Sequence, residues 1–134
     1  MIVPSNEASV SAREPGPAPC IESLSAVTLS TGDMARAVAF YLAMGFELKH
    51  GGAGQSFSTF RCGASCLNLT VESQGAVRWW GRVIFHVSDV DAFYRRALAA
   101  GFSPSSAPSD APWGERYFHL TDHDGHELSF AKVL

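Results

Sequence analysis

The chain has 134 residues, 46% of them hydrophobic and 17% charged, with a formal net charge of −3. That length suits one domain with a real core and is too short for two independent ones. The ten basic residues are scattered and leave no electrostatic footprint for nucleic acid, and no apolar run approaches the roughly 20 residues of a membrane span. The N-terminus lacks the basic and apolar regions of a signal peptide, so the expected location is the cytoplasm.

Residues 1–21 are rich in Ser, Ala, Glu and Pro, with Pro15, Pro17 and Pro19 in quick succession. Such a composition buries little and forbids helix, which predicts a leader that is disordered or loosely packed. Residues 22–134 then form a single domain. Residues 25–29 alternate like a half-buried strand. Asp33 suits a helix N-cap; Met34, Val38, Tyr41 and Leu42 recur at helical spacing, and Gly45 supplies a left-handed stop. Strands are expected over 46–50, 56–61 and 66–71, joined by turns at residues 51–54 and at Gly63-Ala64.

A connector over 72–81 carries Trp79 and Trp80. A strand over 82–87 follows, with Ser88 and Asp91 placed as a capping pair and Val90, Phe93, Ala97 and Leu98 as a buried helix stripe. A short strand at 102–103 precedes a loop broken by Pro104, Pro108 and Pro112. Strands over 116–120 and 127–132 flank the turn Asp122-His123-Asp124-Gly125. Cys62 and Cys66 read as a hairpin turn leading into a strand; an odd cysteine count argues against a disulfide framework.

The chain thus states one pattern twice. Asp33 and Asp89 stand 56 residues apart, and each is followed twelve residues later by Gly-Phe, at Gly45-Phe46 and Gly101-Phe102. Both halves, about 24–72 and 81–134, read β-α-β-β-β, and duplicated units pair to bury what neither buries alone. Alternation places Val27, Leu29, Val83, Phe85 and Val87 under the helices. Ala26, Thr28 and Ser30 share the opposite face in one half, and Arg82, Ile84 and His86 in the other, with Glu127, Ser129 and Ala131 beside them. The fold class is α+β: two paired βαβββ modules forming a curved, cup-like mixed sheet with helices on the outer face.

This order resembles the vicinal oxygen chelate superfamily, which includes glyoxalases, extradiol dioxygenases and bleomycin-resistance proteins. The matching stretches are Val27-Thr28-Leu29 through Asp33, Phe40-Tyr41, Gly45-Phe46, Val87-Ser88-Asp89-Val90, Trp113-Gly114-Glu115-Arg116 and Asp122 through Leu128. In metal enzymes of that superfamily the opening and closing strand of each half carries one ligand, His, Gln or Glu. The resemblance assigns those places here to Ala26, Asn68, Arg82 and Ser129. None is a good ligand for a divalent ion: Ala has no donor, Arg is a permanent cation, and Asn and Ser are weak neutral oxygens. The expectation is no metal at that place and no cofactor.

The residues assigned to ligand contact are Asn68, Arg82, Ser129, Thr28, His86 and Glu127, with His86 the candidate acid–base group. Arg82 either binds a ligand's carboxylate, phosphate or enolate, or pairs with Glu127 or Glu115. His86 is either a proton shuttle or a satisfied structural group. His119, His123 and His126 cluster around one turn and are either a substitute metal site or, for His123 and His126, surface turn residues; Glu115-Arg116 reads as structural ion pairing. Trp79, Trp80 and Trp113 either cap the mouth of the cup or form a dimer contact. Three functions remain open: a metal-free protein that binds a small, anionic or aromatic molecule; a lyase or dioxygenase-type enzyme using a substitute metal or His86 with Arg82; and a partner-binding module plugged by its own leader or by Trp79-Trp80. The expected partners are a small molecule and a second copy of the chain, not nucleic acid or membrane.

Overall fold

A computed structural model describes residues 18, 19, 21–72 and 80–134. The expectations for most of the leader and for Trp79 lie outside these residues. The first half runs β1 (Ala26–Thr31), α1 (Met34–Ala43), β2 (Glu47–His50), β3 (Phe57–Cys62) and β4 (Ser65–Val71). The second runs β5 (Arg82–His86), α2 (Val90–Ala99), β6 (Ser109–Asp110), β7 (Glu115–Thr121) and β8 (Glu127–Val133). The strands form two four-stranded mixed sheets, ordered β1-β4-β3-β2 and β5-β8-β7-β6. In each, the opening strand lies parallel to the closing one and the other pairs are antiparallel.

Each helix begins where a short carboxylate can take up a free backbone N–H of the first turn. Asp33 accepts from Arg36 N at 3.1 Å and Asp89 from Ala92 N at 3.0 Å. The second cap is therefore Asp89, not a Ser88–Asp91 pair. Asp91 is held instead by Arg116, whose Nε and Nη2 each donate to it at 2.9 Å.

Met34, Ala37, Val38 and Tyr41 make the buried stripe of α1, while Leu42 and its repeat equivalent Leu98 are 47% and 49% exposed. Phe40 takes the extra buried place because it turns toward the second half, its ring 4.6 Å from that of Phe102. This contact also explains why 102–103 is not a strand: Phe102 is drawn between Phe40 and His123, and the short strand forms later, at β6.

The halves meet through helices and a turn. Phe46 packs edge-on against Phe85 at 5.0 Å, and Arg96 Nη1 donates to the Met44 carbonyl at 3.0 Å. Tyr41 Oη donates to Asp122 at 2.7 Å. Cys62 and Cys66 are free thiols, and burial raises the pKa of Cys62.

Candidate functional site

Parallel pairing of β1 with β4 sets Thr28 opposite Asn68, and β3 sets Thr59 opposite Asn68 from the other side. The three side chains form a directed chain of hydrogen bonds. Thr59 Oγ1 donates to Asn68 Oδ1 at 2.8 Å, and Asn68 Nδ2 donates to Thr28 Oγ1 at 3.2 Å. Thr28 only accepts within this chain, so the chain makes no use of its own O–H as a donor. Thr28 lines an open cavity of about 330 Å³ along β1, walled by residues 27–30, Thr70, Trp80 and His126. Trp80 is 50% exposed and held by His126, whose Nδ1 accepts from the indole Nε1 at 3.0 Å.

On the second sheet, register places Arg82 beside Glu127, and their side chains pair at 3.1 Å. The guanidinium is thus committed to a carboxylate of its own sheet, which takes away the lone cation that would have drawn an anionic ligand. His86 pairs with Glu115, not with Arg82: its Nε2 lies 2.9 Å from Glu115 Oε2. Arg82 and His86 sit at opposite ends of β5, about 13 Å apart at the rise of a strand, with Ile84 between them and 60% exposed. Glu115 also accepts from Trp113 Nε1 at 3.1 Å. The bonds from His86 and then Trp113 hold its carboxyl below the usual range.

Trp113 stacks on Tyr117 at 5.7 Å, and Tyr117 lies 5.0 Å from His119, so three rings line the β7 side of this face. His119 is opposite Ser129, which is only 4% exposed. Burial, and then the Arg82 charge, lower the His119 pKa. His119 Nδ1 is buried without a hydrogen-bond partner among the described residues.

The assigned residues therefore fall into two groups, Thr28 with Asn68 on one sheet and Arg82, Glu127, Ser129 and His86 on the other. No hydrogen bond or ion pair joins the two among the described residues. Sequence reasoning missed Thr59, the partnership of Glu115 with His86, and the ring of Tyr117, and it placed His119 with His123 and His126 instead of on this face. Alternation along 115–119 carries Tyr117 and His119, because residues opposite Ser129 and Ala131 share their face. It also misplaced His126, which is 3% exposed and not a surface turn residue. Asp122 folds the turn back on itself by accepting from the His126 backbone N–H at 2.8 Å, and this carries the imidazole inward to β1.

The places that resemblance assigns to metal ligands hold a poor donor set. Ala26 offers nothing, the Asn68 amide oxygen is engaged by Thr59, Arg82 is cationic and Ser129 is buried. Among the described residues no three His, Cys, Asp or Glu side chains converge on a point. A neutral and cationic donor set of this kind does not fit a divalent ion.

Comparison with known proteins agrees with the architecture. The chain is 42% identical over 48 residues to an uncharacterized protein of Mycobacterium tuberculosis, a stretch covering 36% of this chain and 28% of that one. The chain spans under a third of the length of such curated relatives. Among solved structures, TioX from Micromonospora sp. ML1 superposes with a TM-score of 0.70 at 28% identity, covering 84% of this chain and all of that one. A bleomycin-binding protein complexed with bleomycin gives a TM-score of 0.67 at 22% identity, covering 85% of this chain and all of its own. No helix among the described residues is long and apolar enough to cross a membrane. The family profile matches residues 23–130, and the chain belongs to the Glyoxalase/Bleomycin resistance protein/Dioxygenase superfamily.

Proposed function

We propose that this protein binds a small aromatic molecule bearing a hydrogen-bond acceptor, anionic or neutral, without a divalent ion at the position used by metal enzymes of its superfamily. The observation that carries the reading is the Thr59–Asn68–Thr28 chain, whose last hydroxyl is left to donate beside a cavity of about 330 Å³ walled by an indole. A pre-oriented donor beside a flat apolar wall suits a ring carrying a carboxylate, phenolate or carbonyl. The ligand's acceptor goes to Thr28, not to Arg82, because Glu127 already occupies the guanidinium. The bleomycin-binding relative gives precedent for binding a small molecule on this fold.

The site is completed in a homodimer, in which the open face of the first sheet meets the second-sheet face of another copy. The separation of the two residue groups and the exposure of Ile84 and Trp113 on the second face support this. The expected setting is the cytoplasm.

A second reading, an enzyme of the lyase type, rests on the His86–Glu115 pair. Glu115 holds Nε2 and leaves Nδ1 as a base, although Arg82 is too distant to share the work.

The test is fluorescence titration with 8-anilinonaphthalene-1-sulfonate, alongside metal analysis of protein purified without chelator or affinity tag. Saturable binding that weakens in Thr28→Val, with substoichiometric metal and no stabilisation by added divalent ions, supports the reading. One tightly held ion per chain, or binding indifferent to Thr28, overturns it.

A further inference from the structure

His126 carries information that the ligand site does not use. Its Nε2 lies 2.7 Å from the Ser30 carbonyl, which can only accept, so Nε2 bears the proton. Its Nδ1 lies 3.0 Å from the Trp80 indole, which can only donate, so Nδ1 is bare. Both neighbours thus dictate one neutral tautomer for a ring that is almost wholly buried. A second proton could enter only at Nδ1, where it would set one N–H against another.

One of the two partners must then give way, and the geometry says which. His126 is anchored by its backbone N–H to Asp122, which in turn holds the Asp124 N–H and the Tyr41 hydroxyl. Ser30 lies within a paired strand. Trp80, by contrast, is half exposed and precedes Gly81, whose φ of 144° and open surroundings allow the chain to swing.

We propose that His126 is a proton-operated latch on the cavity beside β1. In the neutral form it holds Trp80 as a wall of the cavity that Thr28 and Thr70 also line; in the protonated form it releases the indole and the cavity loses that wall. As regulation of ligand binding, this rests on the reading that the cavity is the binding site. Histidine is the side chain suited to change charge between about pH 5 and 8. The ionisable groups on the elements packed against the latch are Asp122, His123 and Asp124 of its own turn, Tyr41 of α1 through Asp122, and Glu127, next along the chain, with its partner Arg82. The described part of β1 and the Thr70 end of β4 bring hydroxyls.

The test needs no ligand. In uniformly ¹⁵N-labelled protein, the Trp80 indole N–H signal is assigned by its loss in Trp80→Phe, and the His126 ring nitrogens report the tautomer directly. The expected result is an Nε2–H imidazole at pH 8. On acidification the ring nitrogens should shift in step with the indole signal, which moves as its hydrogen bond to Nδ1 is lost. In His126→Asn, whose Oδ1 can accept the indole N–H at every pH, the indole transition should vanish. In His126→Leu, which offers Trp80 no acceptor, the shifted indole signal should appear at pH 8. An unchanged indole while the wild-type ring protonates, or the same transition in His126→Asn, overturns the latch; the wild-type reading stands even where a variant fails to fold. Titration of 8-anilinonaphthalene-1-sulfonate at pH 8 and pH 6 separates the two ideas. Weaker binding at pH 6 than at pH 8 supports both, and no binding at either pH alongside an intact indole transition overturns the cavity reading alone.

Discussion

Tyr41 on α1 donates a 2.7 Å hydrogen bond to Asp122 at the tip of the β7–β8 hairpin, 81 residues away, and thereby ties the two halves together. The phenol is fully buried, and its partner also receives the backbone N–H groups of Asp124 and His126. Tyr41→Phe should destabilise the fold by about 1.5–3 kcal/mol, the usual range for a bond to a charged group. Urea unfolding of the two proteins checks this.

The same tyrosine predicts an alkaline limb. Burial first, and then the Asp122 charge, raise its pKa well above 10.0. The folded state keeps a proton that the unfolded chain loses, so this contribution is complete below about pH 10 and declines above it. Stability measured from pH 9 to 11 should fall more steeply in the wild type than in Tyr41→Phe.

Gly45 and Gly101 occupy equivalent places in the repeat, with φ of 95° and 87°. A Cβ at Gly45 would lie 2.0 Å from Arg96 Nη1, whereas one at Gly101 would meet nothing within 4 Å. Gly101→Ala should therefore cost about 1–2 kcal/mol for the left-handed backbone alone. Gly45→Ala should cost about 1 kcal/mol more, because it also dislodges the guanidinium from the Met44 carbonyl. The difference between the two, read by chemical denaturation, measures Arg96's part in joining the halves.

Asp91 and Glu115 predict the acid limb. Hydrogen bonds from Arg116 hold the Asp91 carboxyl below 3.8, and those from His86 and Trp113 hold Glu115 below 4.5. Both contributions are present above the ordinary carboxylate range and are lost as pH falls through the lowered values. Arg116→Met should flatten the dependence of stability on pH below about pH 4, whereas His86→Asn should remove only the Glu115 part. Thermal melts across that range distinguish them.

At the candidate site, Thr28→Val should weaken binding of 8-anilinonaphthalene-1-sulfonate about tenfold, the loss of one hydrogen bond to an anion. Thr28 is exposed, so the melting temperature should hardly move. Asn68→Ala should weaken binding less, since it frees the Thr28 hydroxyl to turn without removing it.

The fold was legible because its signals are local. Asp33 and Gly45 bracket α1, and Asp89 and Gly101 repeat them around α2. Alternation sorted Leu29 and Phe85 from Thr28 and Arg82. The site was legible only as a set of faces. Which carboxylate would take Arg82, and which His86, depends on cross-strand register, and the candidate partners Glu115 and Glu127 are equally plausible along the chain. His126 was misplaced for a related reason: a polar turn reads as surface until Asp122 is seen to fold it against β1. Phe102 was misassigned because its contact with Phe40 is remote in sequence.

The junction built from α1, Phe102, Arg96 and the β7–β8 turn has an evolutionary consequence. Apart from His126, the contacts that hold the halves together and the residues assigned to a ligand are different ones. Substitutions on the open faces can therefore accumulate with little penalty to folding, and new specificities can be sampled on an intact scaffold. The repeat already carries that signature: the paired aspartates, glycines and leucines of its frame are alike, while Ala26 faces Arg82, and Asn68 faces Ser129, as unlike counterparts.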